Sequence, residues 1–341
     1  MDQVRITEPT DLLDRAGNVA KPGYCELNRY VYRRAAVRGN KTRIKEWDFY
    51  QIADSTYTLQ FNIADISLAG AFTFALFNRK TGERVDYLSV APLTFGRIGL
   101  EEDNTVPYAD VFHGPGCYAK SEFTGDKRFL DADFKHKGDR YVVHAEIEVM
   151  PGLQSLTMAL PFEKKGHFYL NQKVNSMPCT CRIEKNGEEF VTFEQGVFCT
   201  LDWGRGVWPH SVTWYWGNGT TRLPDGHLFG FEIGWGFGDM SAATENMLFY
   251  DGIGHKIEEV YLKRDPDNFL MPWVFTSNDG RFEMTMTPTY DNYSNKLVLG
   301  LAGSIGHQVW GMWNGRCILD DGTVIEVHDM LAFCEYIQNK W

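Results

Sequence analysis

The chain has little of what would make it helical, membrane-spanning or basic. None of its 341 residues fall into a long, clean 3.6-residue apolar period, which argues against a helical fold. Met330 to Asn339 is the best helical candidate, and "MSAATENM" reads as a single turn. The longest apolar-looking stretch, Ala64 to Phe77, contains Ser67 and is too short to cross a bilayer. The opening "MDQVRITEP" lacks the basic-then-apolar order of a secretory signal, so cytoplasmic residence is the expectation. Lys and Arg total 34 against 45 Asp and Glu, a net charge of -11. That balance disfavours a nucleic-acid partner, because phosphate binding needs clustered cations. The one basic run, Arg33, Arg34, Arg38, Lys41, Arg43 and Lys45, reads as a solvated linker or a contact for an acidic ligand. The 7 cysteines are scattered; Cys179 and Cys181 share a strand face, but no second close pair completes a zinc site. There is no H-E-x-x-H string, no close histidine pair and no serine elbow. No metal or cofactor is expected.

Aromatic residues are what the chain has in excess: 10 Trp, 16 Tyr and 23 Phe, or 14%. They suit strands and pocket walls. Period-two segments alternate with turn signals at Asn78–Glu83, Lys137–Asp139, Asn186-Gly187, Asn278-Asp279-Gly280, Asn314-Gly315 and Asp321-Gly322. This pattern predicts an all-β protein of antiparallel strands. So many strands must hide their edges, and closure into barrels does that. The length fits two barrels or sandwiches better than one. The expected division is an irregular segment over 1–43, a first domain over 44–180, and a second over 181–341 ending in a short helix.

The string "CTLDWGRGVWPHSVTWYWGNG" (Cys199 to Gly219) holds the most chemistry. Asp202 and Arg205 flank Gly204. A tight turn there would aim both at one point, as an acid or base beside an anion-binding guanidinium. The alternative is a buried ion pair that fixes the loop. Trp203, Trp208, Trp214 and Trp216 surround them. On a strand from Ser211, Val212, Trp214 and Trp216 share one face, which lines a cavity or fills a barrel. Pro209 favours a loop, with His210 as a general base or a half-exposed side chain. In "GWGFGDMSAATEN", Gly234, Gly236 and Gly238 would leave one strand face empty beside Trp235. Asp239 reads as a cap, and Glu245 as a polar candidate. Glu46 and Asp48 flank Trp47. His113, Cys117 and Glu122 lie in "FHGPGCYAKSEF", which reads as thiol chemistry or as a turn with a buried cysteine. Asn171 and Lys173 are placed to donate across an interdomain cleft.

"LDWGRGVWPHSVTWYWG" (Leu201 to Gly217), "GWGFGDMSAATENMLFYDGIGHKI" (Gly234 to Ile257), "MPWVFTSNDGRFEMTMTP" (Met271 to Pro288) and "GHQVWGMWNG" (Gly306 to Gly315) closely resemble the DUF2804 family. The resemblance extends over nearly the whole chain. That family is distantly similar to a superfamily holding carotenoid 1,2-hydratases, fungal pericyclases and AttH proteins. The resemblance implies two lipocalin-like antiparallel β-barrel domains packed together, with ligand sites in or between them. It transmits no single reaction. The leading expectation is a binding protein or enzyme for an apolar, isoprenoid- or lipid-like molecule, possible chemistries being hydration and isomerisation. Asp202, Arg205 and Glu245 are its catalytic candidates. Trp203, Trp208, His210, Trp214, Trp216, Trp235 and His113 are its ligand-binding candidates. The alternatives are a glycan-active or glycan-binding protein using paired carboxylates and tryptophans, and a structural module without a small ligand.

Overall fold

Alternating apolar and polar residues build the strands, and the computed structural model describes residues 2–296 and 303–340. They form an all-β protein of two large sheets. The first sheet has 12 strands. Its path runs Arg84–Pro92, Ala69–Asn78, Tyr57–Asp65, Ile44–Ala53, Glu188–Val207, Phe168–Lys185, Asp139–Glu148, Lys127–His136, Cys117–Phe123 and Tyr108–Gly114. The two end strands approach each other, so this sheet is a near-closed barrel. The second sheet has 9 strands, ordered Ile253–Lys256, Met247–Tyr250, Leu228–Trp235, Ser211–Arg222, Val324–Lys340, Gly303–Ile318, Phe282–Asn295, Trp273–Ser277 and Val260–Lys263. It is a curled half-barrel. No helix among the described residues is long and apolar enough to cross a membrane.

The N-terminal segment straps both sheets. Gly23–Cys25 pairs with the edge strand Leu156–Pro161 of the first sheet, which covers an unpaired edge. The Val4 amide donates to the Ala242 carbonyl beside the second sheet. Arg34, from the basic run, is paired with Glu46 rather than left as a free linker charge.

Three expectations are corrected. Met330 to Asn339 is not a helix; it belongs to the strand Val324–Lys340, paired on both sides. Its Met, Leu, Ala and Glu residues favour helix locally, but ladder pairing and burial of both faces override that preference. The change of sheet falls after Val207, not near Thr180. Phe168–Lys185 and Glu188–Val207 are long neighbouring strands of one sheet, joined at Asn186-Gly187, where both residues have positive φ, 56° and 86°. Asn314-Gly315 is no turn but a bulge inside Gly303–Ile318, where pairing shifts register between Trp313 and Gly315.

Buried side chains form three clusters. One fills the barrel, around Phe61, Phe72, Phe134 and Trp203. One fills the concave side of the second sheet, around Phe231, Trp273 and Trp313. The third lies between the sheets, around Tyr169, Trp208, Trp216, Phe237, Trp310 and Phe333. The candidate site is in that middle layer.

Candidate functional site

Strand alternation decides which side chains reach the middle layer. In Glu188–Val207, Leu201, Trp203 and Val207 pack inside the barrel, and Arg205 shares their face. Asp202, Gly204 and Gly206 face the second sheet. Asp202 and Arg205 are therefore on opposite faces, because no turn interrupts the strand. The glycines form a shelf. A Cβ on Gly204 would lie 2.0 Å from Trp47 Cζ2, and one on Gly206 would lie 2.8 Å from Trp208 Nε1. Both indoles rest where larger residues would stand, so the D-x-G-x-G spacing is a floor for two tryptophans.

Two cross-strand rows face each other over the pocket. From the first sheet come Asn62, Phe49, Asp202 and Lys173, at paired positions of four neighbouring strands. From the second come Asn292, Gln308, Glu335, Trp216 and Gly234. Trp47, Tyr169, Trp208, Trp214 and Phe237 close the remaining walls. Tyr169 stacks on Phe237 at 5.0 Å, and Trp208 meets Tyr169, Trp47 and Trp214 at 5.2, 5.7 and 5.9 Å between ring centroids. The cavity measures about 290 Å³. That is the low end of the roughly 300–1,000 Å³ typical of small-molecule sites.

One ammonium and four carboxyls supply the electrostatics. Lys173 is 2% exposed. Its Nζ lies 2.7 Å from Asp202 Oδ2, 3.3 Å from Glu245 Oε1 and 3.9 Å from the Trp216 ring centroid. Those carboxylates hold Lys173 protonated, raising its pKa against the cost of burial. Asp202 also accepts from Trp47 Nε1 at 3.0 Å and from Asn171 Nδ2, so its carboxyl has donors on both oxygens. Glu245 is fully buried behind Lys173 and accepts from the Tyr169 hydroxyl at 3.4 Å. Burial pushes it up to about 7, against the pull of Lys173. Glu232 accepts from Trp216 Nε1, and from Asn218 Nδ2 at 2.7 Å. Burial raises it well above the ordinary carboxylate range. Glu335 lines the pocket from the second sheet and accepts from Trp214 Nε1 at 3.0 Å. Burial pushes it up to about 7. One lysine cannot compensate four charges in this largely buried cluster, so Glu232, Glu245 and Glu335 retain protons towards neutral pH.

Asp202, Trp208, Trp214 and Trp216 line this pocket together, and Glu245 supports it from behind. Asn171 and Lys173 donate to Asp202 on the neighbouring strand of their own sheet, not across the cleft; Lys173 also reaches Glu245, beside the second sheet, at 3.3 Å. The other candidates lie elsewhere. Arg205 is 0% exposed inside the barrel, bonded to Asp48 Oδ1 at 3.0 Å and to the carbonyls of Trp47, Gly204 and Glu101. The buried-ion-pair alternative describes it. Trp203 packs beneath that guanidinium, its ring 4.1 Å away. His210 is exposed in the connection between the sheets. Trp235 stacks on Tyr215 at 5.0 Å beside a separate cavity of the second sheet. His113 is exposed on a hairpin of the barrel, next to Tyr118. The strand Leu228–Trp235 stops before Gly236 and Gly238, whose φ values are +99° and +103°, so the three glycines do not share a strand face. Asp239 caps its turn by accepting the Ser241 amide at 2.9 Å.

Sequence reasoning missed Glu335, Glu232 and Tyr169. For Glu335 a signal existed. On a strand, Leu331, Phe333, Glu335 and Ile337 share one face, and a carboxyl on that apolar face marks a half-buried acid.

The two sheets, one a near-closed barrel and one a curled half-barrel, make an all-β protein consistent with paired lipocalin-like barrels. The chain belongs to the DUF2804 family, a domain of unknown function, whose model matches residues 3–341. Among solved structures, CghA with Sch210972 aligns with a TM-score of 0.50 at 12% identity, over 100% of this chain and 97% of that one. Kievitone hydratase from Nectria haematococca aligns at 0.45 and 9% identity, over 87% and 88% of the two chains. A protein from Nitrosomonas europaea assigned to AttH aligns at 0.45 and 12%, over 91% and 96%. At such identities the likeness concerns the fold. No curated protein matches the chain.

Proposed function

We propose that the inter-sheet pocket binds a small, largely apolar molecule and acts on it by acid–base chemistry, as a hydratase or isomerase does. One observation carries this reading: Asp202 and Glu335 reach the same aromatic cavity from opposite sheets, in unlike environments. Asp202 is held by Lys173, Trp47 and Asn171; Glu335 keeps a proton up to about pH 7. Two carboxyls facing one cavity, one of which keeps its proton towards neutral pH, can serve as the acid and the base of an active site. In a hydration, the Glu335 carboxyl gives its proton to an alkene carbon. Water adds to the neighbouring carbon, and the Asp202 carboxylate takes the proton that water loses. The tryptophan faces stabilise the cationic centre formed between these events. Isomerisation uses the same two transfers, with a carbon-bound proton in place of water. The cavity volume favours a molecule much smaller than a carotenoid.

A sugar ligand is the second reading. It draws on Gln60, Asn62, Asn292 and Gln308, four amides contributed to the pocket by both sheets. The test is incubation of the full chain in deuterated water with a panel of small alkenes, enones and free sugars. The proposal expects deuterium on carbon in an alkene or enone, lost in Glu335→Gln and Asp202→Asn. Turnover or binding of sugars alone would replace it with the second reading.

A further inference from the structure

A second cleft, of about 890 Å³, opens between the same two sheets. Its central cation is Arg79, only 8% exposed. Arg79 Nη1 donates to Thr58 Oγ1 and Nη2 to the Asp54 carbonyl, both uncharged acceptors. The guanidinium lies 4.7 Å from the Trp310 ring centroid. Among the described residues it has no ion pair. The nearby Asp54 carboxylate is turned to its own loop, accepting the Thr56 and Tyr57 amides at 2.6 Å each. Asp329, the cleft's other acid, accepts from Asn314 Nδ2 at 3.3 Å. Burial pulls Arg79 down to about 10, only partly offset by the charge of the nearby Asp54. Buried guanidinium groups are ordinarily paired, because desolvating an isolated charge is costly.

Two further cations, Lys80 and Arg222, stand exposed at the rim, and Met312, Leu331 and Phe333 supply an apolar wall. The cleft is separated from the first pocket by amides. Gln60, which lines the first pocket, donates to Gln51, which lines the cleft, at 3.0 Å, and to Gln308 at 2.9 Å.

We infer that this cleft is a binding site for a small organic anion, whose carboxylate or phosphate group meets Arg79 while its apolar body lies against Trp310 and Phe333. A planar guanidinium with free N–H groups suits either oxyanion. The site does not depend on the acid–base reading of the first pocket.

The test is calorimetric titration of the full chain with phenyl phosphate and with phenylacetate, benzyl alcohol serving as the neutral control. The expected result is 1:1 binding of at least one anion and none of the alcohol. Arg79→Gln should weaken that binding at least about tenfold, the usual worth of a charged hydrogen bond. Should Arg79→Gln fail to fold, Lys80→Gln/Arg222→Gln changes only exposed rim residues and should weaken it about threefold. Absence of saturable binding, equal binding of the alcohol, or affinities unmoved in the folded variants would overturn the inference.

Discussion

Lys173 and Asp202 occupy paired positions on neighbouring strands, with Nζ 2.7 Å from Oδ2, on the floor of a pocket walled by tryptophans. The pair fixes where the charge of the site lies. It also makes Lys173 the group on which Asp202 and Glu245 jointly depend.

Removing that cation leaves two buried carboxyls facing each other. Lys173→Met should cost about 3–5 kcal/mol of stability, the loss typical of breaking a buried pair from one side. Adding Asp202→Asn should recover part of it. Urea denaturation of the single and double variants measures both.

The shelf beneath Trp47 is equally specific. In Gly204→Ala the new methyl overlaps the indole, which must shift and release its hydrogen bond to Asp202. A loss of about 1–3 kcal/mol is expected, as for other overpacked sites. A changed tryptophan emission spectrum should accompany it.

Much of this arrangement is legible in the sequence, but through the wrong local geometry. The hairpin turns at Asn186-Gly187 and Asn278-Asp279-Gly280 lie where their residues predict. The tryptophan face of Ser211–Arg222 follows from alternation alone. The D-W-G-R-G string misleads because glycines suggest a turn, whereas here they make room for rings from another strand. Once the segment is a strand, period two parts Asp202 from Arg205. Glu335 is missed because its helix-favouring neighbours hide the alternation that would expose it. Glu232 and Tyr169 depend on which strands pair across the sheet, and local spacing carries no record of that.

Arg205 separates stability from ligand binding. Arg205→Met strands the fully buried Asp48 and should cost about 3–5 kcal/mol. Since the side chain points into the barrel, the folded fraction should keep its ligand affinity within about threefold.

The carboxyl cluster predicts a pH dependence. Glu245 and Glu335 titrate near 7 in the folded chain, against an ordinary value of 4.5. Between these values the native state holds more protons than the unfolded state, so unfolding releases them. Their contribution is fully present below pH 4.5 and is lost as pH rises to about 7. Glu335→Gln should flatten that decline by at most about 1.4 kcal/mol per pH unit. Denaturation midpoints from pH 4.5 to 8 measure the difference.

Everything proposed for the inter-sheet pocket requires that it hold a small apolar molecule. Native mass spectrometry tests it most directly, on the full chain as purified and after mixing with an apolar panel, beside Trp216→Ala. A single bound small molecule is expected in the wild type, lost when the Trp216 wall is removed. A bare protein mass across the panel, or a bound molecule retained by Trp216→Ala, would contradict it.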